Sequence, residues 1–340
     1  MRKLISILFL ISFFQCIAQK EYVLDTMRLK NEVELRGLSV VNDEVVWMSG
    51  NNGFVCRSVN GGQTFDTLRV KDYEKSEFRD IEAFDDKTAL ILSAGVPAVL
   101  LRTIDGGIKW KVVYSNSTKG IFFNGMDFWD DKRGIAFSDP VDGKLFIIAT
   151  VNGGINWKEI PYKDRPTAQE GEVGFAASGT SIRTVGDGYA YIGTGGRAAH
   201  IFTSDNYGKT WKKFPCPIKK GGESAGVFSV AFKDLRTGVI AGGDFKLDTL
   251  SANNCFLTYD GANTWKPPLT PPKGYRSCVE YLNQTAVVAV GPNGTDYSRD
   301  GGNTWKRISK AGFNVVRKAK TGNRIWLAGS GGLLGMLTKY

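Results

Sequence analysis

The sequence predicts an all-β protein, a seven-bladed β-propeller closed by a strand from its N-terminus. Three observations support this prediction. One short motif recurs six times, short segments of strand-like alternation separate the copies, and further strand-like segments remain at both ends of the chain. Hydrophobic residues make up 42% of the 340 residues, which is enough apolar material for a large core.

The recurring motif is Ser/Thr-x-Asp/Asn-x-Gly-x-Thr-Trp. The aromatic residues that end successive copies are 45, 47, 54, 54 and 40 residues apart, and a period of this size is typical of propeller blades. The pattern lapses at Phe65, Lys109, Asn156 and Ala262. The six copies are SVNGGQTF (58–65), TIDGGIKW (103–110), TVNGGINW (150–157), SDNYGKTW (204–211), TYDGANTW (258–265) and SRDGGNTW (298–305).

Each repeat is interpreted as four strands, with the motif between the third and the fourth. In the first repeat the strands are LRGLSVV, EVVWMSG, GFVCRS and TFDTLRV. After the sixth motif, FNVVRKA, RIWLAGS and GLLGMLTK supply three strands without a motif. The N-terminal segment EYVLDTMRL can provide the missing fourth strand, which would close the ring and leave no open sheet edge.

The motif is suited to fastening a turn. A short Asp or Asn side chain can accept hydrogen bonds from turn N–H groups, and the glycine permits positive φ. The closing tryptophan can then pack into the seam between neighbouring sheets. A calcium loop needs about six to eight ligands, far more than the one or two side-chain oxygens of each copy, so no metal is expected. We assign this structural role to Asn60, Asp105, Asn152, Asn206, Asp260, Asp300, Trp110, Trp157, Trp211, Trp265 and Trp305.

The six in-phase copies resemble Asp-box (BNR) repeats. Across almost all of the chain after residue 18, the pattern is similar to the photosystem II stability and assembly factor-like propellers. Asp boxes also occur in sialidases, in the xyloglucanase type of glycosidase and in sortilin-type receptors, so the box indicates architecture and not activity. The resemblance to the assembly factors implies a protein that holds another polypeptide on an arginine-bearing face.

The N-terminus has the pattern of a secretory signal peptide. Arg2 and Lys3 precede the apolar run Leu4–Phe14, and cleavage is expected after Ala18, which leaves residues 19–340 as one propeller domain. The apolar run has 11 residues, too few to span a bilayer. A lipoprotein anchor on Cys16 is disfavoured because glutamine precedes it. We therefore expect export to the periplasm or the cell exterior.

The charge and the cysteines limit the partners and the covalent structure. Losing Arg2 and Lys3 would lower the net charge from +10 to +8, which suits an anionic partner or simple solubility. Four cysteines would remain, and the sequence contains no CxxC pair. Cys56 and Cys278 are expected as buried thiols, and at most one disulfide is expected, between Cys216 and Cys255.

Several catalytic patterns are excluded by their context. GTGGRA (193–198) approximates a dinucleotide fingerprint, but strand-like HIFTSD follows where a helix is required, so no cofactor is expected. The single histidine, His200, has no GxSxG nucleophile elbow to serve and is expected to be structural. AASGTS (176–181) is Ser-rich but is expected to lie in a strand.

Candidate binding residues converge on the face opposite the motifs, where first strands begin and second strands end. Repeat alignment places Arg36, Arg79, Asn124, Arg276 and Asn314 at the starts of first strands. The loops after second strands carry Asp139, Arg197, Asp244 and Asp296. We expect a ligand at this channel mouth to contact Arg36, Arg79, Asn124, Arg197, Arg276 and Asp296. The alternative is that inner arginines pair with Asp80, Glu82 or Asp127 inside the channel.

Two functions remain open. The first is a monomeric, non-enzymatic scaffold whose arginines bind a protein, a glycan or another anionic ligand through charge-assisted bonds. Nucleic acid is not expected, because the chain has no dense Lys/Arg cluster. The second is a sialidase-like or xyloglucanase-like glycoside hydrolase, which needs two carboxylates about 5–10 Å apart or a tyrosine nucleophile beside arginines. Its candidate catalytic residues are Glu82, Asp139 and Tyr297.

Overall fold

The computed structural model describes residues 22–339, which form seven antiparallel sheets arranged as propeller blades. The first strand of each blade contacts the first strand of the next, and the last of them returns to the first, so the ring is closed. Helix in this part of the chain is limited to three 3₁₀ turns, Tyr162–Asp164, Phe245–Leu247 and Ser330–Gly332. The predicted all-β, seven-bladed propeller is therefore confirmed.

The strands follow one another regularly. Blade 1 contains β2 (Leu35–Val40), β3 (Val46–Gly50), β4 (Phe54–Ser58) and β5 (Asp66–Arg69). Blade 2 contains β6 (Glu77–Ala83), β7 (Ala89–Ala94), β8 (Ala98–Thr103) and β9 (Lys111–Asn116). Blade 3 contains β10 (Phe123–Phe128), β11 (Gly134–Val141), β12 (Lys144–Thr150) and β13 (Lys158–Glu159). Blade 4 contains β15 (Ile182–Val185), β16 (Tyr189–Gly193), β18 (His200–Ser204) and β19 (Lys212–Pro215).

The remaining blades include the ring closure. Blade 5 contains β20 (Ala225–Phe232), β21 (Gly238–Asp244) and β22 (Cys255–Thr258), with β14 (Glu172–Val173) and β17 (Gly195–Gly196) added at its inner edge. Blade 6 contains β23 (Cys278–Tyr281), β24 (Val287–Gly291), β25 (Gly294–Ser298) and β26 (Lys306–Ser309). Blade 7 contains β27 (Val315–Lys318), β28 (Ile325–Ala328), β29 (Leu333–Lys339) and β1 (Tyr22–Arg28).

The N-terminal strand closes the ring, as expected. β1 pairs antiparallel with β29 along its whole length, from Tyr22 opposite Lys339 to Arg28 opposite Leu333. The two ends of the described chain thus lie in one sheet, and the last blade does not leave the edge of β29 unpaired. An unpaired edge would be a template for aggregation, and the pairing with β1 covers this edge of β29.

Blade 5 departs from the predicted four-strand pattern. After its motif, the expected fourth strand is reduced to an isolated bridge between Leu257 and Lys266. Pro267 and Pro268 follow at once, and proline cannot donate to a strand ladder, which accounts for the missing strand. The motif therefore does not lie between two full strands in every blade.

The six motifs form the same hydrogen-bonded turn. In each copy the Ser or Thr hydroxyl accepts from the N–H of the fifth position, and the Asp or Asn Oδ1 accepts from the N–H of the seventh. The fourth-position N–H donates to a carbonyl in the turn between the first two strands of the same blade. The fifth position packs on the preceding blade, with Gly62 against Trp326 and Gly302 against Val239. The motif thus fastens its own turn to the adjacent sheet.

The expected disulfide between Cys216 and Cys255 is wrong. All four described cysteines are buried free thiols. Cys216 packs between blades 4 and 5 with Ile218 and Val227, whereas Cys255 packs between blades 5 and 6 with Trp305. The two thiols thus lie on opposite sides of the blade 5 sheet. Burial raises the pKa of Cys216 to about 12, which keeps this thiol protonated and unreactive at neutral pH.

The predicted signal peptide, residues 1–18, lies outside the described residues. Within residues 22–339, no helix has the length and hydrophobicity required to cross a bilayer.

Candidate binding surface at the channel mouth

A repeated backbone irregularity sets the direction of three predicted binding residues. The first strands of blades 1, 2 and 3 each contain a β-bulge, and the extra residues are Arg36, Arg79 and Asn124. A bulge locally redirects a side chain that would otherwise follow the strand alternation. The alignment of the repeats therefore identified equivalent positions, and the bulges bring all three side chains to the face opposite the motifs.

The mouth on this face is covered by the protein's own chain. Residues 174–181, here called the plug segment, connect β14 to β15 as buried, irregular backbone. The expectation that AASGTS (176–181) forms a strand is wrong, because the segment crosses between blades instead of pairing along one. Apart from Phe175 its residues are small, which permits close approach: a Cβ added at Gly125 would meet the carbonyl oxygen of Gly179 at 2.6 Å.

Contacts to several blades hold the plug segment in place. The Ser178 hydroxyl donates to the carbonyl of Ser277 in the connection before β23 (2.9 Å), and Thr180 Oγ1 donates to Ser229 Oγ in blade 5 (2.7 Å). The Phe175 ring stacks on Phe228 with centroids 3.9 Å apart. These bonds satisfy polar groups that burial would otherwise penalise, so the plug segment is a fixed part of the fold.

Arg36 and Arg79 lie beside the plug segment. Arg79 Nη1 donates to the carbonyl of Ala176 (3.4 Å) and Arg36 Nη1 to the carbonyl of Ala177 (3.3 Å). Arg79 is also neutralised by Glu77, with Nε and Nη2 lying 2.7 and 2.5 Å from Oε2. Arg36, by contrast, has no carboxylate within 4 Å among residues 22–339, and its one hydrogen bond is long.

The electrostatics at this position favour an added anion. Burial, and then the charge of Arg79, lower the pKa of Arg36 from its ordinary value. Arginine stays protonated despite such shifts, so the half-buried cation has an unmet demand for an acceptor. A recess of about 60 Å³ opens beside it, lined by Glu34, Arg36, Gly50, Asn51, Glu77, Phe78 and Arg79. A recess of this volume has room for a few water molecules or for one carboxylate group.

Asn124 and Asp139 form a structural pair at the same mouth. Asp139 Oδ1 accepts from Asn124 Nδ2 (2.9 Å) and from the N–H of Gly174 at the start of the plug segment (2.8 Å). Burial raises the pKa of Asp139 to about 6, although both hydrogen bonds oppose the shift. Asn124 is fully buried, so its amide anchors the plug segment instead of facing solvent.

Arg276 and Asp296 are not on the surface of the mouth. Their side chains are 0% and 1% exposed and form a two-nitrogen ion pair, with Arg276 Nε 2.8 Å from Asp296 Oδ2. The backbone N–H of Lys273 donates to the same oxygen (2.9 Å). Arg197 is the opposite case, 72% exposed on the β17–β18 loop and 4.0 Å from Glu170. Of the six predicted ligand contacts, one is therefore exposed (Arg197), two are half-buried (Arg36 and Arg79) and three are buried (Asn124, Arg276 and Asp296).

The three residues considered for catalysis are not brought together. Glu82 lies at the end of β6 nearest the motif face, where it pairs with Lys320. Asp139 lies at the end of β11 nearest the channel mouth, on the opposite face. Tyr297 is in the third strand of blade 6, with its ring 5.3 Å from that of Tyr22. The alternative expectation was that arginines inside the channel pair with Asp80, Glu82 or Asp127. Arg183 and Arg317 do form ion pairs there, but their shared partner is Glu280.

Two further features were missed in the sequence. One is the plug segment itself, whose signal is a run of eight small or apolar residues without charge that breaks the strand alternation. The other involves His200, whose Nδ1 lies 2.9 Å from Oε1 of the buried Glu172. Burial raises the pKa of Glu172, but the bonds from His200, Gln169 and Thr194 outweigh it and leave the pKa below its usual value. His200 is thus part of a buried hydrogen-bonded cluster with Glu172 and Thr194.

Solved structures share this architecture. A structure described as YCF48 bound to D1 peptide is similar with a TM-score of 0.66, covering 92% of this chain and 94% of that chain at 14% identity. YCF48 from Cyanidioschyzon merolae gives 0.63, with 92% and 98% coverage at 20% identity. The WD40 β-propeller domain of Doa1 gives 0.62, with 93% and 97% coverage at 12% identity. No protein-family model and no curated protein matches the chain.

The expected resemblance to the photosystem II assembly factor-like propellers is confirmed at the level of the fold, because the chain superposes on both YCF48 structures over 92% of its length.

Proposed function

We propose that the chain is a non-enzymatic binding protein that holds an acidic polypeptide segment, or a terminal carboxylate, at Arg36 and Arg79. The observation that carries this proposal is the half-buried Arg36, which has one long hydrogen bond and no carboxylate within 4 Å among the described residues. A carboxylate beside it would form charge-assisted bonds that are roughly twice as strong as neutral ones. Arg36 is already half-buried beside the plug segment, so part of the cost of ordering its side chain is met before binding.

The similarity to a propeller described as bound to a peptide supports this assignment of ligand class. The size of the recess supports it too, because about 60 Å³ suits an end group and is far below the roughly 300 Å³ at which pockets for drug-sized ligands begin. The hydrolase alternative has no comparable support, since Glu82 lies toward the motif face and Asp139 at the channel mouth on the opposite face. We further propose that the protein acts after export, on the basis of the predicted signal peptide.

The test is selection from a library of random eight-residue peptides displayed with free C-termini. Wild-type protein is expected to enrich peptides with Asp, Glu or a required terminal carboxylate. The double variant Arg36→Gln/Arg79→Gln is expected to lose those peptides whose binding does not depend on aliphatic residues. Arg236→Gln is the control, because it removes a positive charge from the exposed turn after β20 on the motif face and leaves both mouth arginines in place. Enrichment of the same peptides by the double variant, or of none by the wild type, would refute the proposal.

A further inference from the structure

The motif face carries an apolar patch on two adjacent blades. The second and sixth positions of the second and third motifs are all aliphatic and all exposed. Ile104, Ile108, Val151 and Ile155, here called the aliphatic patch, are 66%, 75%, 75% and 50% exposed. The same positions in the fourth and sixth motifs hold Asp205, Lys209, Arg299 and Asn303. The turn does not require apolar residues there, so their clustering indicates an interaction surface.

The two loops that carry the patch are fixed to each other. Arg102 Nε, one residue before the second motif, donates to the carbonyl of Gly153 in the third motif (3.1 Å). Gly154 packs on Leu90 of blade 2. Both motifs also form the two turn hydrogen bonds described above, one to the Thr hydroxyl and one to the Asp or Asn Oδ1. The patch is therefore presented on rigid loops, which lowers the ordering cost of binding.

A groove continues the patch toward blade 4. It has a volume of about 740 Å³, and Val151 lines it together with Trp129, Ile160 and Tyr207. Tyr207 occupies the motif position that is glycine in the other five copies, and it keeps a left-handed φ of 60°. A side chain in that conformation carries a cost of about 1–2 kcal/mol. Its ring packs on Trp129 with centroids 5.1 Å apart, so this departure from the repeat builds the groove wall.

Three lysines lie at the rim of the patch and groove, and the acids there, Asp130 and Asp187, are paired with Arg133. Lys109, Lys158 and Lys209 are exposed there, and none has a carboxylate within 4 Å in the described part of the chain. Glu159 is the one acid in the groove lining, and it is already paired with Arg165 at 3.2 Å. The surface therefore combines apolar contacts with uncompensated cations.

We propose that the aliphatic patch and groove form a docking surface for an acidic amphipathic segment of another protein. The aliphatic patch extends beyond the groove, which favours a polypeptide over a small molecule. Charge complementarity disfavours a second copy of this chain, because the same lysines would meet across a symmetric interface. A bilayer is disfavoured because Asp86 and Asp131, on exposed turns of the same face, would be pressed against lipid.

The test uses the full chain against a library of displayed random twelve-residue peptides. Peptides that combine aliphatic residues with Asp or Glu should be enriched, and Ile108→Ser/Val151→Ser should weaken their binding at least tenfold. The pair Ile104→Ser/Ile155→Ser serves as a second, independent variant. Leu269→Ser is the matched control, since Leu269 is 79% exposed and lies outside the patch, and it should leave Kd unchanged.

Four results would overturn the proposal. The first is an absence of enriched peptides, and the second is an unchanged Kd in both serine pairs while their unfolding midpoints match the wild type. The third is sedimentation with vesicles of anionic phospholipid that the serine pairs abolish, which would assign the surface to a membrane. The fourth is a wild-type dimer that becomes monomeric in the serine pairs, which would assign it to self-association.

Discussion

Arg276 and Asp296 form an ion pair that is closed to solvent in blade 6, with side chains 0% and 1% exposed. Arg276 Nη1 also donates to Asn293 Oδ1 (2.7 Å), so the guanidinium is held on several sides. Burial lowers the pKa of Arg276, but the nearby carboxylate opposes the shift and stabilises the charged form. Because a buried cation depends on its counterion, we assign this pair to the stability of the mouth.

Asp296→Asn is expected to lower the free energy of unfolding by about 3–5 kcal/mol, because it leaves a charged guanidinium buried without its counterion. Guanidinium chloride unfolding followed by tryptophan fluorescence measures this loss. Glu170→Gln is the control, since its partner Arg197 is largely exposed at 4.0 Å, and it should leave the midpoint unchanged. Equal midpoints for both variants would contradict the assignment.

The sixth motif offers a comparison between adjacent glycines. Gly301 and Gly302 both have positive φ, but a Cβ at Gly302 would meet Leu257 at 2.9 Å and Val239 at 3.0 Å, whereas Gly301 has open space. Gly301→Ala is expected to cost about 1 kcal/mol from backbone strain alone. Gly302→Ala is expected to cost a further 1–3 kcal/mol or so, because the methyl group overpacks the seam between blades 5 and 6.

Urea unfolding of the two alanine variants at matched pH measures this difference. If Gly301→Ala proved as destabilising as Gly302→Ala, the packing of the motif against the preceding blade would not limit stability.

Asp139 gives a prediction for the effect of pH. Its pKa is raised to about 6, above the usual value of about 3.9, so the folded chain binds this proton more tightly than the unfolded chain. The resulting contribution to stability is present near pH 4 and is lost as pH rises through 6. Asp139→Asn keeps the Oδ1 acceptor for Asn124 and Gly174 and removes this titration.

We expect Asp139→Asn to raise the free energy of unfolding at pH 8 by up to about 3 kcal/mol relative to the wild type, with little change at pH 4. Urea unfolding between pH 4 and pH 8 measures both curves. Parallel curves for the two proteins would show that the carboxyl group is not buried as described.

The repeat made the fold predictable, because the period and the strand alternation are local properties of the sequence. The candidate site was only partly predictable. Alignment of the repeats found Arg36 and Arg79, but the burial of Arg276 depends on Asp296, which lies 20 residues away across the sheet. The plug segment was missed because its bonds reach separate blades, and the cysteine pairing failed because sequence spacing does not reveal which side of a sheet a thiol occupies.

The Kd of the peptide most enriched by the wild type is the measurement that tests the central claim most directly. Fluorescence polarisation of that peptide should show binding at least tenfold weaker for Arg36→Gln than for the wild type, a difference of about 1.4 kcal/mol. Binding to the Arg236→Gln control should equal that of the wild type, and added salt should weaken wild-type binding. Equal affinity for wild type and Arg36→Gln would contradict the assignment of Arg36 as the anion-binding residue of this propeller.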